Sequence, residues 1–387
     1  MTFAEYSRLP TAPAVVLVEF ELATTIGYSF KDVCPSGSTI NYEGRLVSLF
    51  DIGQERDPVS WGRLSFSSGD VTLQNADGKF DTQARSWWAG YYGKTVKIKL
   101  GYEGLAIGDY VTLWAGYIEN VSHSVETVSF SLAEMRKKLD VNILDSWVDI
   151  NALSVIKEAI MAAYPEITYT STYFDTEAWE VAQTEAPNVS VDMVDSEKAI
   201  EVIDAVCSSI FGVFSTTADG KFTYVLPDLD ATCETTIGAE DVLDVPDVSY
   251  DPSEVVSSVR VFCDIDKDLE SGEYATIVED TTRSAYVGST YSIYNSKEIL
   301  TYLPNATAAA AFAVSFLDYT CDVHGVFEIS VPMKYYAVDI GDTIFVELNR
   351  EGGGEYLGTP KCEVLGKTYM LDFPMIKLKL RQWYDEA

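Results

Sequence analysis

Apolar and polar residues alternate with a period of two along most of this chain, and helical spacing interrupts that pattern at three places. Residues 14–22 form a nearly continuous apolar run, AVVLVEFEL, that reads as a first strand, and 39–50 holds a second. Val71-Thr72-Leu73-Gln74 alternates, and Asn75-Ala76-Asp77-Gly78-Lys79 follows, where Asp-Gly supplies the positive φ of a tight turn. Val96-Lys97-Ile98-Lys99-Leu100 alternates again and sets both lysines on one face. Between these strands stand Trp87, Trp88, Tyr91 and Tyr92, closed by Gly90 and Gly93, so Trp61–Tyr102 reads as a hairpin built around an aromatic cluster. Residues 116–124 and 127–132 predict another hairpin. The chain up to residue 145 is therefore expected to be a β-barrel-like domain.

The period changes after that. Leu153, Ile156, Ile160, Met161 and Tyr164 fall at helical spacing, and Pro165 ends the run. After a polar stretch, Asp195 or Ser196 is the expected cap of a second helix that carries Ile200, Ile203, Cys207 and Ile210 to Gly212. A hairpin turning at Ala218-Asp219-Gly220-Lys221-Phe222 completes an α/β module over 146–250. Strands return with Val259-Arg260-Val261-Phe262, an acidic insertion follows over 264–302, and an Ala-rich helix begins near Asn305. Four further β segments end the chain, so 251–387 reads as a second β domain. Two internal echoes accompany this order. Ala-Asp-Gly-Lys-Phe recurs at 76–80 and 218–222 as turn chemistry, and Ile-Gly-Asp before a strand recurs at 107–109 and 340–342. The second echo predicts two related domains. The expected class is mainly β with an α/β insert: two related antiparallel β-barrel-like domains separated by the module.

Composition adds a constraint on partners. Asp and Glu number 60 against 27 Lys and Arg, a formal charge of −33, which excludes a basic footprint for nucleic acid or an anionic membrane. The six cysteines form no CxxC pair and suit reduced thiols, and no apolar run approaches the length of a membrane span. With only His123 and His324 present, histidine-dependent catalysis has little to draw on. Ser122 and His123 are neighbours on a strand and point to opposite faces. No phosphate-cradling loop, zinc spacing or nucleophile elbow occurs, and the acidic run from Asp264 to Glu270 fails the calcium-loop pattern at Leu269 and Ala275. No enzyme, metal or cofactor is expected.

The segment Gly69-Asp70-Val71-Thr72-Leu73-Gln74-Asn75-Ala76-Asp77-Gly78-Lys79-Phe80-Asp81, the module after residue 150, and the Ala-rich helix leading to Ile340-Gly341-Asp342 occur in an order that resembles bacteriophage tail proteins. In particular, the arrangement is similar to the gp27-like central tail hub, or baseplate hub. That resemblance implies a virion protein, made in the host cytoplasm, that forms a homotrimer. Its two related domains per subunit would build a pseudo-sixfold ring between a sixfold tail tube or distal-tail ring protein and a threefold spike or fibre. DNA would pass through it without specific binding. A hexameric distal-tail ring protein or a glycan-binding tail adhesin is the alternative. Candidate contacts between subunits or with partners are Trp87, Trp88, Tyr91 and Tyr92, the Lys97–Lys99 face, and the face of Lys377, Lys379 and Arg381.

Overall fold

The computed structural model describes residues 3–7, 13–56, 62, 64–81, 90–193, 195–225, 233, 235–244, 246–265, 274–349 and 355–383. The first apolar run forms the strand Ala14–Glu21, whose six central residues are all buried. Such a strand needs cover on both faces and a neighbour on each edge, and it has Thr25–Ser29 on one side and Thr95–Tyr102 on the other. The complete sheet has eight strands, in the order Tyr42–Gly44, Thr25–Ser29, Ala14–Glu21, Thr95–Tyr102, Val111–His123, Thr127–Ala133, Ser68–Gln74 and Leu46–Leu49. Its two edge strands are consecutive in the chain, so the sheet curls until both edges meet at Arg45. The result is barrel-like, with no ladder sealing the ring.

Ser68–Gln74 and Thr95–Tyr102 are not partners, which corrects the hairpin expected over 61–102. Val111–His123 and Thr127–Ala133 lie between them. Alternation fixed both as strands, but register partners come from the whole sheet and not from proximity in the chain. The strand expected over 116–124 begins earlier, at Val111, and runs to His123, with register shifts near Lys99 and Asn120.

The second sheet runs Thr235–Ile237, Thr343–Val346, Lys361–Met370, Met375–Trp383, Gly325–Pro332 and Ser249–Tyr250. Its Lys361–Met370 strand also accepts Ile52–Glu55 from the N-terminal part of the chain. The two sheets share one continuous hydrophobic core, and Phe3 bridges them with its ring 5.3 Å from Tyr102 and 5.2 Å from Tyr336.

Duplication is visible in the strand pairings. In the first sheet, Ser68–Gln74 pairs with Thr127–Ala133, which pairs with Val111–His123, which pairs with Thr95–Tyr102. In the second, Gly325–Pro332, Met375–Trp383, Lys361–Met370 and Thr343–Val346 repeat that antiparallel order. Under this equivalence the Ile-Gly-Asp echo falls out of register, because Ile107–Asp109 precedes the third strand of its unit and Ile340–Asp342 the second. The aligned segments are Gly93-Lys94-Thr95-Val96-Lys97-Ile98-Lys99-Leu100 and Gly341-Asp342-Thr343-Ile344-Phe345-Val346-Glu347-Leu348. Both leading glycines hold a positive φ, 73° at Gly93 and 91° at Gly341. Gly108 does not; it sits in a 3-10 turn.

The middle of the chain packs separately. Helix Ala152–Ala163 buries Leu153, Ile156 and Ile160, and helix Ala199–Ser208 buries Ile200, Ile203 and Cys207. The second helix starts later than its expected caps because Glu197–Lys198 pairs as a strand with Asn142–Ile143. The stretch read as polar contains a helix, Thr176–Glu185, which buries only Trp179 and Ala182 and so shows little periodicity. The acidic insertion is also regular outside the undescribed residues 266–273. Ser258–Ile265 pairs antiparallel with Tyr274–Asp280 and parallel with Ser296–Leu300. Helix Ala306–Thr320 covers this small sheet, and Val259, Val261, Phe312 and Phe316 join the core of the two module helices. Val256, Val259, Val261, Leu303, Phe312 and Phe316, all beyond the expected boundary at residue 250, share one core with the module helices.

These placements predict that Gly93→Ala lowers the unfolding free energy by about 1 kcal/mol. No atom lies within 4 Å of the added Cβ, so the cost is backbone strain alone. Gly108→Ala, equally uncrowded but without a positive φ, should leave the urea midpoint unchanged.

Candidate functional site

Trp87 and Trp88 lie outside the described residues. Tyr91 is 3% exposed and packs on Phe20 and Phe130, with ring centroids 6.2 and 5.3 Å away, so it is a core residue and not a contact. Burial pushes its hydroxyl up to about 12. Tyr92 is 47% exposed and is left on the surface. A neighbouring pair on a turn splits in this way when one ring is needed to fill the end of the sheet.

The two basic faces are largely neutralised within the chain. Lys97 reaches Glu21 at 2.6 Å and Lys99 reaches Glu19 at 2.9 Å, both across to the Ala14–Glu21 strand. Glu19 is buried, and it also accepts a 2.5 Å hydrogen bond from the Tyr42 hydroxyl, so its charge is satisfied inside the sheet. On the other face Lys379 pairs with Glu55, and Arg381 is buried with its guanidinium 3.8 Å from the Tyr319 ring centroid. Only Lys377 of the three is exposed. For Lys97 and Lys99, the glutamates of the neighbouring strand decide what the lysine does.

The Gly69–Asp81 motif has a structural use. Asn75 is fully buried, donates to Asp81 at 2.6 Å and to the Ser124 carbonyl at 3.2 Å, and accepts from the Phe80 amide at 2.8 Å. Asp77 takes both arms of Arg45, at 2.9 and 2.5 Å. That bond and the Lys79 amide hold its carboxyl below the usual range. The loop thus seats Phe80 against Tyr28, where the sheet closes on itself at Arg45.

A buried charged junction was not anticipated from the sequence. Arg56 follows the Ile52–Glu55 strand and has no exposed side-chain surface. It bonds Glu363 of the second sheet and donates to the Tyr319 hydroxyl at 3.2 Å. The Tyr319 hydroxyl donates in turn to Glu363 at 2.6 Å, and Arg381 donates to the Tyr319 carbonyl at 2.8 Å. Three distant segments meet at this one group of charges. A second junction joins the first sheet to the module: Arg136 donates to the carbonyls of Ser65 at 2.9 Å and Phe214 at 3.1 Å. Its neighbour Glu134 accepts from Gln54 at 2.6 Å. Between the sheets and the 213–225 hairpin lies a cavity of about 210 Å³, lined by Gln54, Trp114, Thr216, Tyr336, Asp339 and Lys367. Burial pushes the Lys367 ammonium down, and it donates to the Tyr336 carbonyl at 2.6 Å. Among the described residues no group of three or more His, Cys, Asp or Glu could hold a metal ion. The charges and hydrogen bonds of both junctions tie separate segments of the chain together.

Truncating one member of the joint leaves a charge stranded. Arg56→Met should lower the unfolding free energy by about 3–5 kcal/mol, and adding Glu363→Leu should recover much of that loss. A double-mutant cycle in which the two changes simply add would contradict the coupling. His324 supplies a pH test. It stacks on Trp383, donates from Nδ1 to the Gln382 carbonyl 3.0 Å away, and is pushed from 6.5 down to about 4 by burial and then by Arg381. The unfolded chain takes up a proton between these values that the folded chain refuses. Stability is therefore complete above pH 6.5 and falls as the pH drops towards 4, by about 1 kcal/mol at pH 5.5 relative to 7.5. His324→Gln should flatten that part of the stability curve, measured by urea midpoints.

No protein-family model and no curated protein matches this chain. Among solved structures it is similar to the tail protein from Neisseria meningitidis MC58, with 13% identity and a TM-score of 0.58, over 95% of this chain and 96% of that one. It is also similar to the 43 kDa tail protein of prophage MuSo2 from Shewanella oneidensis, with 10% identity and a TM-score of 0.51, over 95% and 97%. From the first sheet to the last strand, the chain has the fold of these tail proteins.

Proposed function

We propose that this chain is a structural component of a phage tail or baseplate, and that it acts there as a homotrimeric hub. The observation that carries this reading is the likeness to two tail proteins over nearly the whole of each chain. The repeated four-strand unit supports the finer part. Three subunits with two such units each would present six similar domains, matching a sixfold tube on one side while keeping threefold symmetry for a spike or fibre on the other. The shared core of the two sheets would hold each pair of units as one rigid block. The formal charge of −33 suits a bore past which DNA moves without sticking.

The purified chain should scatter light as a species of three times the 42.8 kDa subunit mass. A monomer that persists at high concentration would overturn the trimer, and a hexamer would favour a distal-tail ring instead.

A further inference from the structure

The acidic insertion, which the fold reading leaves without a role, builds a surface. Across the three-stranded sheet of Ser258–Ile265, Tyr274–Asp280 and Ser296–Leu300, Phe262 stands opposite Ile277 on one side and Leu300 on the other. Directly opposed residues share a face, so these three side chains form one apolar row across the sheet. Its ends are open, with Ile277 49% and Leu300 63% exposed. The reverse face carries Val259, Val261 and Cys263 and is closed by helix Ala306–Thr320.

The next row on the open face is Glu279, Arg260 and Glu298. Arg260 is bonded to Glu298 at 2.6 Å, so the row is acidic overall, and both glutamates are exposed. We propose that this face docks a different protein, one that brings an apolar centre bordered by lysine or arginine. Charge complementarity selects that occupant over a second copy of this chain. The chain has 27 basic residues against 60 acidic, and basic side chains such as Lys79, Lys97, Lys137 and Lys379 are already paired to its own carboxylates. A second copy would bring carboxylates to an acidic rim. Nucleic acid and anionic membrane are excluded by the same sign of charge. An apolar row with an acidic border has the anatomy of a small protein interface, a packed centre with a polar rim.

The proposal rests on the reading of the chain as a tail component, and tails assembled around it provide the test. Carbodiimide, which joins a carboxylate to a lysine with no spacer, should couple Glu279 and Glu298 to lysines of another tail protein, as read by mass spectrometry. Ile277→Glu with Leu300→Glu, exposed changes expected to keep the melting temperature of the free chain, should reduce incorporation into tails at least tenfold. Glu279→Lys with Glu298→Lys, which leaves the apolar row intact, should do the same. Coupling to a second copy of this chain, or coupling only within the chain, would overturn the surface while leaving the tail reading standing. Incorporation of both double variants within twofold of the parent would overturn it too. Tails that contain no copy of the chain would overturn the tail reading and the surface together.

Discussion

Arg56 and Glu363 are 307 residues apart and neither exposes any side-chain surface. Removing two charges from water costs several kcal/mol per ion, and that cost is offset only when the partners and their hydrogen bonds are all in place. Here the set includes the Tyr319 hydroxyl from the end of the Ala-rich helix, while Arg381 stacks on the same ring from the last strand. The junction can therefore exist only when the N-terminal strand Ile52–Glu55, the helix and the second sheet have all assembled. Strand pairing of Ile52–Glu55 with Lys361–Met370 and the Lys379–Glu55 pair bind the same place from outside. These contacts tie the first and second sheets together, while the middle third has a core of its own.

The repeated unit explains why the ends of the chain come together. Each unit leaves strands that need a neighbour, and the segment after Arg45 supplies them. Residues 42–49 close the first sheet, and 52–55 then extend the second. The Gly69–Asp81 loop belongs to the same construction, with buried Asn75 fixing the turn and Asp77 tying Arg45. In this segment the motif residues Asn75 and Asp77 therefore serve closure of the first sheet.

The acidic excess has two distinct consequences. Within the sheets, carboxylates face lysines across strands, and they cancel the basic faces that spacing alone would put on the surface. Outside them, on the small sheet of the former insertion, the carboxylates remain around an apolar row. The same residue type thus serves cohesion in one place and surface character in the other, and local pairing decides which.

Much of this fold was legible in the sequence because strand and helix periods are local. The runs at 14–21, 71–74, 96–100, 153–163 and 200–207 all formed the elements their patterns predict. Even the duplication left a trace, in Gly-x-Thr before an alternating strand at 93–100 and 341–348, although the more conspicuous Ile-Gly-Asp pointed to the wrong alignment. Helix Thr176–Glu185 and the strands inside the acidic insertion were hidden, since each buries few side chains and so writes little periodicity. Which strands pair, whether Tyr91 or Tyr92 faces the core, and whether Lys99 or Arg381 is free were decided only by tertiary structure. Period specifies which way a side chain points, but what it meets there depends on residues far along the chain, as Glu363 lies 307 positions from Arg56.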